Sequence, residues 1–262
     1  MSEMDQLPED LRSPLTELLL SLADDKLVLG HRNSDWTGLG PILEEDIAFS
    51  SLAQDEIGHA GALFQLLAPW LNQTADQIAY GRKPQEYRCA EIVELPDDFE
   101  WGFAIVRQFF CDNFDLMRLE RLSRSSLAPL AALARRQLAE ERIHAEHANA
   151  WIQRLGRGTD ESRQRVQAAL DTLSPFASML FEATPGADQL ESADIYPRRS
   201  SEMFDRWRAE LETTARNSGL RLQLTPPSSG VLGGRRGRHS AAFDELWKEM
   251  TEVSGVEPQA AW

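Results

Sequence analysis

The chain has 262 residues, which suffices for one well-buried domain, and its 42% hydrophobic and 26% charged residues are ordinary for a globular protein. A formal net charge of -15 argues against nucleic-acid binding and leaves any anionic ligand dependent on local basic clusters. Such clusters occur at Arg198–Arg199 and at Arg235, Arg236 and Arg238. The sequence has no apolar run of the length that spans a membrane, and its acidic N-terminal segment lacks the basic start and the apolar core of an export signal. We therefore expect a cytoplasmic protein with Cys89 and Cys111 reduced.

Apolar residues at helical spacing predict two long helices in the first part of the chain. The first runs from Ser13, which is followed by Pro14, to about His31. The second begins at Pro41 and ends before Pro69. Residues 72–96 have no clear period and contain Gly and Pro, so they are interpreted as a long connection.

Two more long helices follow this connection. The third is capped by Asp97 or Asp98 and runs to about Arg124, and the fourth runs from Pro129 to Gly156. Shorter helices are predicted at residues 160–182, 200–218 and 241–253, with a loop at 225–237. This order predicts an all-α, ferritin-like four-helix bundle as a single domain, with a core at about 13–156 and a C-terminal helical extension at about 157–262.

The pattern Glu-x-x-His occurs twice, as Glu56 and His59 on the second helix and as Glu141 and His144 on the fourth. A three-residue offset puts both side chains on one helical face, and the other residues of each face are apolar. A carboxylate buried there is costly unless it is paired or binds a metal. Ferritin-like di-metal centres combine two such pairs with one carboxylate from each of the other two helices.

One candidate carboxylate lies on each remaining helix. Asp112 is in an apolar stripe 29 residues before Glu141, and Asp25 lies among apolar residues 31 residues before Glu56. Asp24 competes with Asp25 because sequence cannot fix the helical phase to one residue, and the pattern favours Asp25. The predicted di-metal site therefore comprises Asp25, Glu56, His59, Asp112, Glu141 and His144.

A single Glu-x-x-His in an acidic helical protein usually belongs to a solvated charged face. Two copies at similar offsets, each in an apolar stripe, favour descent from a metal site. His31 and His147 are interpreted as polar-face residues or as hydrogen-bonding neighbours of the ligands. The phenylalanines of the third helix are interpreted as ordinary core.

Segments along nearly the whole chain resemble the phenylacetate-catabolism oxygenase family, in the branch of its C-type subunits. They are residues 22–32 (LADDKLVLGHR), 35–36 (DW), 43–48 (LEEDIA), 58–60 (GHA), 107–112 (RQFFCD), 151–159 (WIQRLGRGT), 233–239 (GGRRGRH) and Trp262. The resemblance implies a multicomponent enzyme that epoxidises the aromatic ring of phenylacetyl-CoA with O2. Its electrons would come from a partner reductase that carries a flavin and an iron–sulfur cluster.

In this family, the A-type subunit is the usual di-iron catalytic protein, and the C-type subunit is its homologous partner, usually described as structural. Some C-type sequences have lost the Glu-x-x-His residues, whereas this chain keeps both pairs. The resemblance therefore implies an oxygenase subunit that pairs with the homologous catalytic protein and with the other subunits of the complex. Whether it holds its own di-iron site stays open, the alternatives being a metal-free scaffold and a stand-alone ferritin-like protein that handles iron or peroxide.

The loop of residues 233–238 consists of Gly and Arg in a net-acidic chain. It is predicted to contact a partner subunit or the phosphates of an acyl-CoA through Arg235, Arg236 and Arg238. The alternative is a solvated loop.

Overall fold

The computed structural model describes residues 6–197, 200–227 and 233–256, and within these ranges the chain forms helices and no strand. The predicted all-α class is confirmed. Within those three ranges, no helix is long and apolar enough to cross a membrane. The α-helices are α1 (Glu9–Ser34), α2 (Leu43–Leu71), α3 (Ala75–Tyr80), α4 (Glu91–Glu94), α5 (Trp101–Leu122), α6 (Ala128–Gly156), α7 (Asp160–Ala177), α8 (Ala187–Ser192), α9 (Ser200–Asn217) and α10 (Ala241–Val256), and 3-10 turns lie at Pro84–Glu86, Ser178–Phe181 and Gly234–Arg236.

The four long helices occur where they were predicted, but two prolines do not mark their ends. α1 begins at Glu9, so Pro14 lies inside the helix, where it is buried. α2 continues through Pro69 to Leu71, and its C-cap Asn72 has a left-handed φ of 51°. The predictions of a start at Ser13 and an end before Pro69 were wrong. A proline inside a helix removes one backbone hydrogen bond, but neither Pro14 nor Pro69 ends its helix.

The predicted connection at residues 72–96 contains short helices. Thr74 caps α3 by accepting a hydrogen bond from the Gln77 backbone N–H at 3.1 Å, and the Gln77 side chain accepts from the Thr74 N–H at 2.9 Å. This reciprocal capping box satisfies two backbone donors at the start of a helix too short to show periodicity.

The cap of α5 also differs from the prediction. Its N-cap is Glu100, whose side chain accepts from the Gly102 N–H, whereas Asp98 has a φ of 47° outside the helix. Asp97 instead binds the buried Arg107 guanidinium at 2.7 Å. The prediction that Asp97 or Asp98 caps the third helix was therefore wrong.

The chain forms two compact units. The α5–α9 unit contains α5 to α9, and the α1–α4 unit contains α1 from Arg12 onward, α2, α3, α4 and α10. Each unit thus combines two of the four long helices with part of the C-terminal segment. The division into a core at 13–156 and an extension at 157–262 stays a prediction.

In the α5–α9 unit, α5 packs along α6 and also contacts α7 and α9. Trp207 of α9 is fully buried, donates to the Phe110 carbonyl at 3.3 Å and packs against Phe181 with 5.1 Å between ring centroids. Phe109, Phe110 and Phe114 of α5 are buried, as expected for core residues, whereas Phe103 is half-buried.

In the α1–α4 unit, α1 and α2 approach closely at Gly30. A Cβ on this residue would lie 2.7 Å from Ile57 Cγ1 and 3.2 Å from both the Ala53 carbonyl oxygen and Glu56 Cβ. The C-terminal part of the unit packs on residues 82–94. Trp247 of α10 donates to the Arg82 carbonyl at 3.0 Å, and the Phe243 and Tyr87 rings meet edge to face.

Candidate metal centre

All six residues predicted as metal ligands are buried. Their exposed fractions are 3% for Asp25, 0% for Glu56, 5% for His59, 0% for Asp112, 0% for Glu141 and 2% for His144. The apolar stripes therefore predicted correctly that these side chains face the interior. Burial makes an unmatched carboxylate costly, so the partners of each one decide what it can do.

Glu56 of α2 is matched by a lysine. Lys26 Nζ lies 2.9 Å from Glu56 Oε2 and donates a hydrogen bond to Oε1 at 3.1 Å. The side chains of Lys26 and Glu56 are 3% and 0% exposed, so the pair is almost fully desolvated. Lys26 lies one turn before Gly30, and the close approach of α1 to α2 at Gly30 brings the ammonium within reach of Glu56.

Asp25 of α1 is matched by an arginine from near the C-terminus. Arg235 Nη1 and Nη2 bind Asp25 Oδ1 and Oδ2 at 2.7 and 2.8 Å, which is a bidentate fork. Asp25 Oδ1 also accepts from the Ala90 N–H at 2.9 Å. Arg235 is only 2% exposed and forms an internal ion pair with Asp25. The sequence had assigned Asp25 to a metal, and Arg235 to a partner subunit or to the phosphates of an acyl-CoA.

Asp24, the alternative to Asp25, is matched in the same way. Its carboxylate binds the guanidinium of Arg82 through both oxygens and accepts from the Arg88 N–H at 2.7 Å. Arg82 also lies over the Tyr87 ring, 4.1 Å from its centroid. Thus Asp24, Asp25 and Glu56 each contact a cationic side chain of their own unit.

In the α5–α9 unit, Glu141 and His144 lie on the buried face of α6. Asp112 lies on α5, which packs along α6, and Gln108 Nε2 donates weakly to Asp112 Oδ2 at 3.4 Å. The described part of the chain therefore contains buried carboxylate and histidine groups of the kind that bind metals. That they gather with Glu56 and His59 around one metal stays a prediction.

The remaining predicted residues lie nearer the surface. His31 is half-buried, meets the Tyr80 ring edge to face, and has its pKa lowered by burial. His147 is half-buried on α6. Arg236 and Arg238 are exposed. Arg198 and Arg199 lie outside the described residues.

Sequence reasoning missed the cationic partners Lys26, Arg82 and Arg235 of these carboxylates. One signal was available for Lys26, which has Leu22, Leu29 and Gly30 as its neighbours on one helical face. No local signal could identify Arg82 or Arg235, because they lie 58 and 210 residues from their aspartates.

An all-α fold with buried carboxylate and Glu-x-x-His side chains on long helices defines a protein of the ferritin-like oxygenase class. The chain belongs to the phenylacetic acid catabolic protein family, whose model matches residues 1–262. It is similar to the C subunit of the 1,2-phenylacetyl-CoA epoxidase of Escherichia coli (strain K12), with 30% identity over 251 residues that cover 95% of this chain and 99% of the relative.

Proposed function

We propose that this chain is a subunit of a multicomponent oxygenase that epoxidises phenylacetyl-CoA in aerobic phenylacetate degradation. Family membership over the whole chain and near-complete coverage of the C subunit of an epoxidase support this role. Its partners are a homologous catalytic di-iron protein and the other subunits of the complex, and flavin and iron–sulfur chemistry belong to a partner reductase.

We further propose that this chain holds no di-iron centre of its own and acts as a metal-free scaffold subunit for its catalytic homologue. The carrying observation is the Lys26 ammonium on Glu56, because a fixed protein cation already neutralises the carboxylate that should bind iron. Asp25 and Asp24, the candidate ligands from α1, are likewise paired with guanidinium groups. These residues do not fit a site whose carboxylates must coordinate two cations.

The repulsion between the Lys26 ammonium and a metal ion at Glu56 can be estimated from Coulomb's law. Two unit charges 4 Å apart at an effective dielectric constant of about 20 interact by about 4 kcal/mol, so an ammonium at that distance opposes a divalent cation by about 8 kcal/mol. Iron would therefore have to displace or deprotonate Lys26 before it could use Glu56.

The direct test is iron analysis after assembly. The complex is reconstituted with Fe²⁺, its chains are separated under non-oxidising conditions, and iron is measured for each chain. We expect iron in the catalytic homologue and background iron in this chain. Stoichiometric iron in this chain would overturn the assignment, as would a Mössbauer spectrum of a coupled di-iron centre in the isolated chain.

The double substitution Glu56→Ala with Glu141→Ala tests whether these two carboxylates only stabilise the interior or also bind a catalytic metal. We expect unchanged background iron and ring epoxidation that persists in every complex that assembles. Loss of epoxidation with assembly intact would instead give this chain a catalytic or electron-relay role, as expected if it has its own metal site.

We infer that the catalytic homologue covers an exposed apolar patch at the start of α2. The patch consists of Leu39, Ile42, Leu43 and Ile47, of which Leu43 and Ile47 are 70% and 62% exposed. Leu43 and Ile47 are four residues apart and share one helical face. Contiguous exposed apolar residues are typical of contacts between subunits, and the relative of this chain is itself a subunit of an epoxidase.

Charge substitution tests this patch. Leu43→Glu with Ile47→Glu should weaken association with the catalytic homologue by at least tenfold while the isolated chain stays folded. Ile143→Glu is the matched control, because Ile143 is 65% exposed but has the exposed charged residues Glu140 and Glu146 nearby on α6. Equal affinity for both variants would contradict the inference.

We propose that the loop of residues 233–238 contacts a partner subunit or the phosphates of an acyl-CoA through Arg236 and Arg238. These two side chains are exposed, whereas Arg235 is buried against Asp25. Replacing Arg236 and Arg238 with Ala should weaken acyl-CoA binding or complex assembly without unfolding the chain. Unchanged affinity in both assays would leave the loop as a solvated segment.

A further inference from the structure

Three residues of different metal-binding chemistry meet inside the α1–α4 unit, apart from the carboxylates described above. They are Cys89, Glu94 and His239, and one ligand atom from each lies within 4.8 Å of the other two. Cys89 Sγ is 3.7 Å from Glu94 Oε1 and 3.8 Å from His239 Nδ1, and His239 Nδ1 is 2.6 Å from Glu94 Oε1. We propose that this cluster is a binding site for one thiophilic divalent cation of the Zn²⁺ class.

The distances suit such a cation. Zinc bonds of about 2.3 Å to sulfur and about 2.0–2.2 Å to nitrogen or oxygen, at tetrahedral angles, separate sulfur from either other ligand by about 3.6 Å. The two sulfur distances of 3.7 and 3.8 Å already match this value. The nitrogen and oxygen need about 3.4 Å, so the 2.6 Å contact opens when the cation enters.

The atoms around the cluster hold its ligands in the orientation that a metal requires. His239 Nε2 donates to the Tyr87 carbonyl at 3.2 Å, which directs Nδ1 toward Cys89 and Glu94. Glu94 Oε2 accepts from the Ser240 N–H at 2.8 Å, which leaves Oε1 facing the cluster. The ring of Phe243 packs on His239 with 4.4 Å between centroids and fixes the imidazole plane.

The exchange of protons for metal is balanced in charge. A proton lies between His239 Nδ1 and Glu94 Oε1, because two lone pairs at 2.6 Å would repel each other. Burial, with Glu94 as the next cause, raises the pKa of the Cys89 thiol well above its ordinary value, so the thiol keeps its proton without metal. Binding one divalent cation releases the thiol proton and the shared proton, so the buried cluster has the same net charge before and after.

All three ligand side chains are buried. Cys89 and Glu94 have no exposed surface and the His239 side chain is 4% exposed, whereas the other residues of the 236–240 segment are exposed or half-buried. Bound metal would fasten this segment to residues 89–94 and so act as a structural clip on the C-terminal part of the unit. It would be chemically distinct from an iron site built from carboxylates and histidines, because it includes a thiolate.

Cobalt(II) is the probe, because a cobalt–thiolate bond gives a near-ultraviolet charge-transfer band that carboxylate and histidine ligands do not give. The full chain, stripped with a chelator, is titrated with Co²⁺ in a pH-stat. We expect the thiolate band at one Co²⁺ per chain, two protons released per cation, and loss of the band when Zn²⁺ is added. Cys111→Ser is the matched control, because Cys111 is the other buried cysteine and lies outside the cluster.

Cys89→Ser should abolish the band, and His239→Gln should lower Co²⁺ affinity at least tenfold. Absence of the band in the unmodified chain would overturn the proposal whether or not any variant folds. Retention of the band in Cys89→Ser, or its loss in Cys111→Ser, would assign the thiolate to another residue. None of these outcomes depends on iron content or epoxidation, so they do not test the proposed function.

Discussion

Replacing Lys26 with Met removes the cation from Glu56 while keeping a side chain of similar length. Glu56 has no exposed surface, and the Lys26 contact at 2.9 Å is nearly dehydrated, so the substitution leaves a carboxylate without this cation in the interior. Breaking a buried ion pair in this way costs about 3–5 kcal/mol. We therefore expect urea unfolding, with a chelator present, to show a loss of that size at an unchanged urea slope.

A double-mutant cycle attributes the loss to the pair. Adding Glu56→Gln to Lys26→Met should recover about 2 kcal/mol, because the buried negative charge that Lys26 faced is removed. Lys83→Met, at an exposed lysine, is the control and should change stability by less than about 0.5 kcal/mol. A Lys26→Met loss equal to the control, or a cycle with no coupling, would refute the reasoning that Lys26 neutralises Glu56.

Three further predictions concern packing and pH. Gly30→Ala should destabilise the chain by about 1–2 kcal/mol, because its Cβ would lie 2.7 Å from Ile57 Cγ1. Gly58→Ala has open space around the new Cβ and should stabilise the chain by up to about 1 kcal/mol. The midpoints of urea unfolding of the two variants and of the unmodified chain measure both effects. Trp207→Ala should cost about 3–5 kcal/mol by the same measurement, since the ring is fully buried. Because burial lowers the pKa of His31, the unfolded chain binds its proton first, so stability should fall as pH drops through the unfolded value of 6.5. His31→Phe should flatten that slope in unfolding curves measured from pH 7 to 5.

Helical spacing predicted what depends on local sequence. α6 and α9 occur almost where their periodicity placed them, and the stripes around Glu56 and Glu141 identified two fully buried carboxylates. Spacing assigns a side chain to a face of its helix, and both residues obey that rule. Ends set by proline were less predictable, because Pro14 and Pro69 lie within helices.

The partners of the buried charges could not be predicted from the same pattern. Arg235 was assigned to an anionic ligand because its neighbours are Gly and Arg, yet the fold brings its guanidinium to Asp25. A periodicity argument gives the direction of a side chain but not the distant group that it meets. The same limit explains why Cys89 and His239, 150 residues apart, gave no metal-ligand signal in the sequence.

The contact between Asp25 and Arg235 also constrains how the protein is made. The two residues are 210 positions apart, and translation at about 5–20 residues per second separates their emergence from the ribosome by roughly 10–40 s. During that interval α1 and α2 exist without Arg235, and Asp25 lacks its guanidinium. The α1–α4 unit can therefore complete this buried ion pair only after Arg235 has been synthesised.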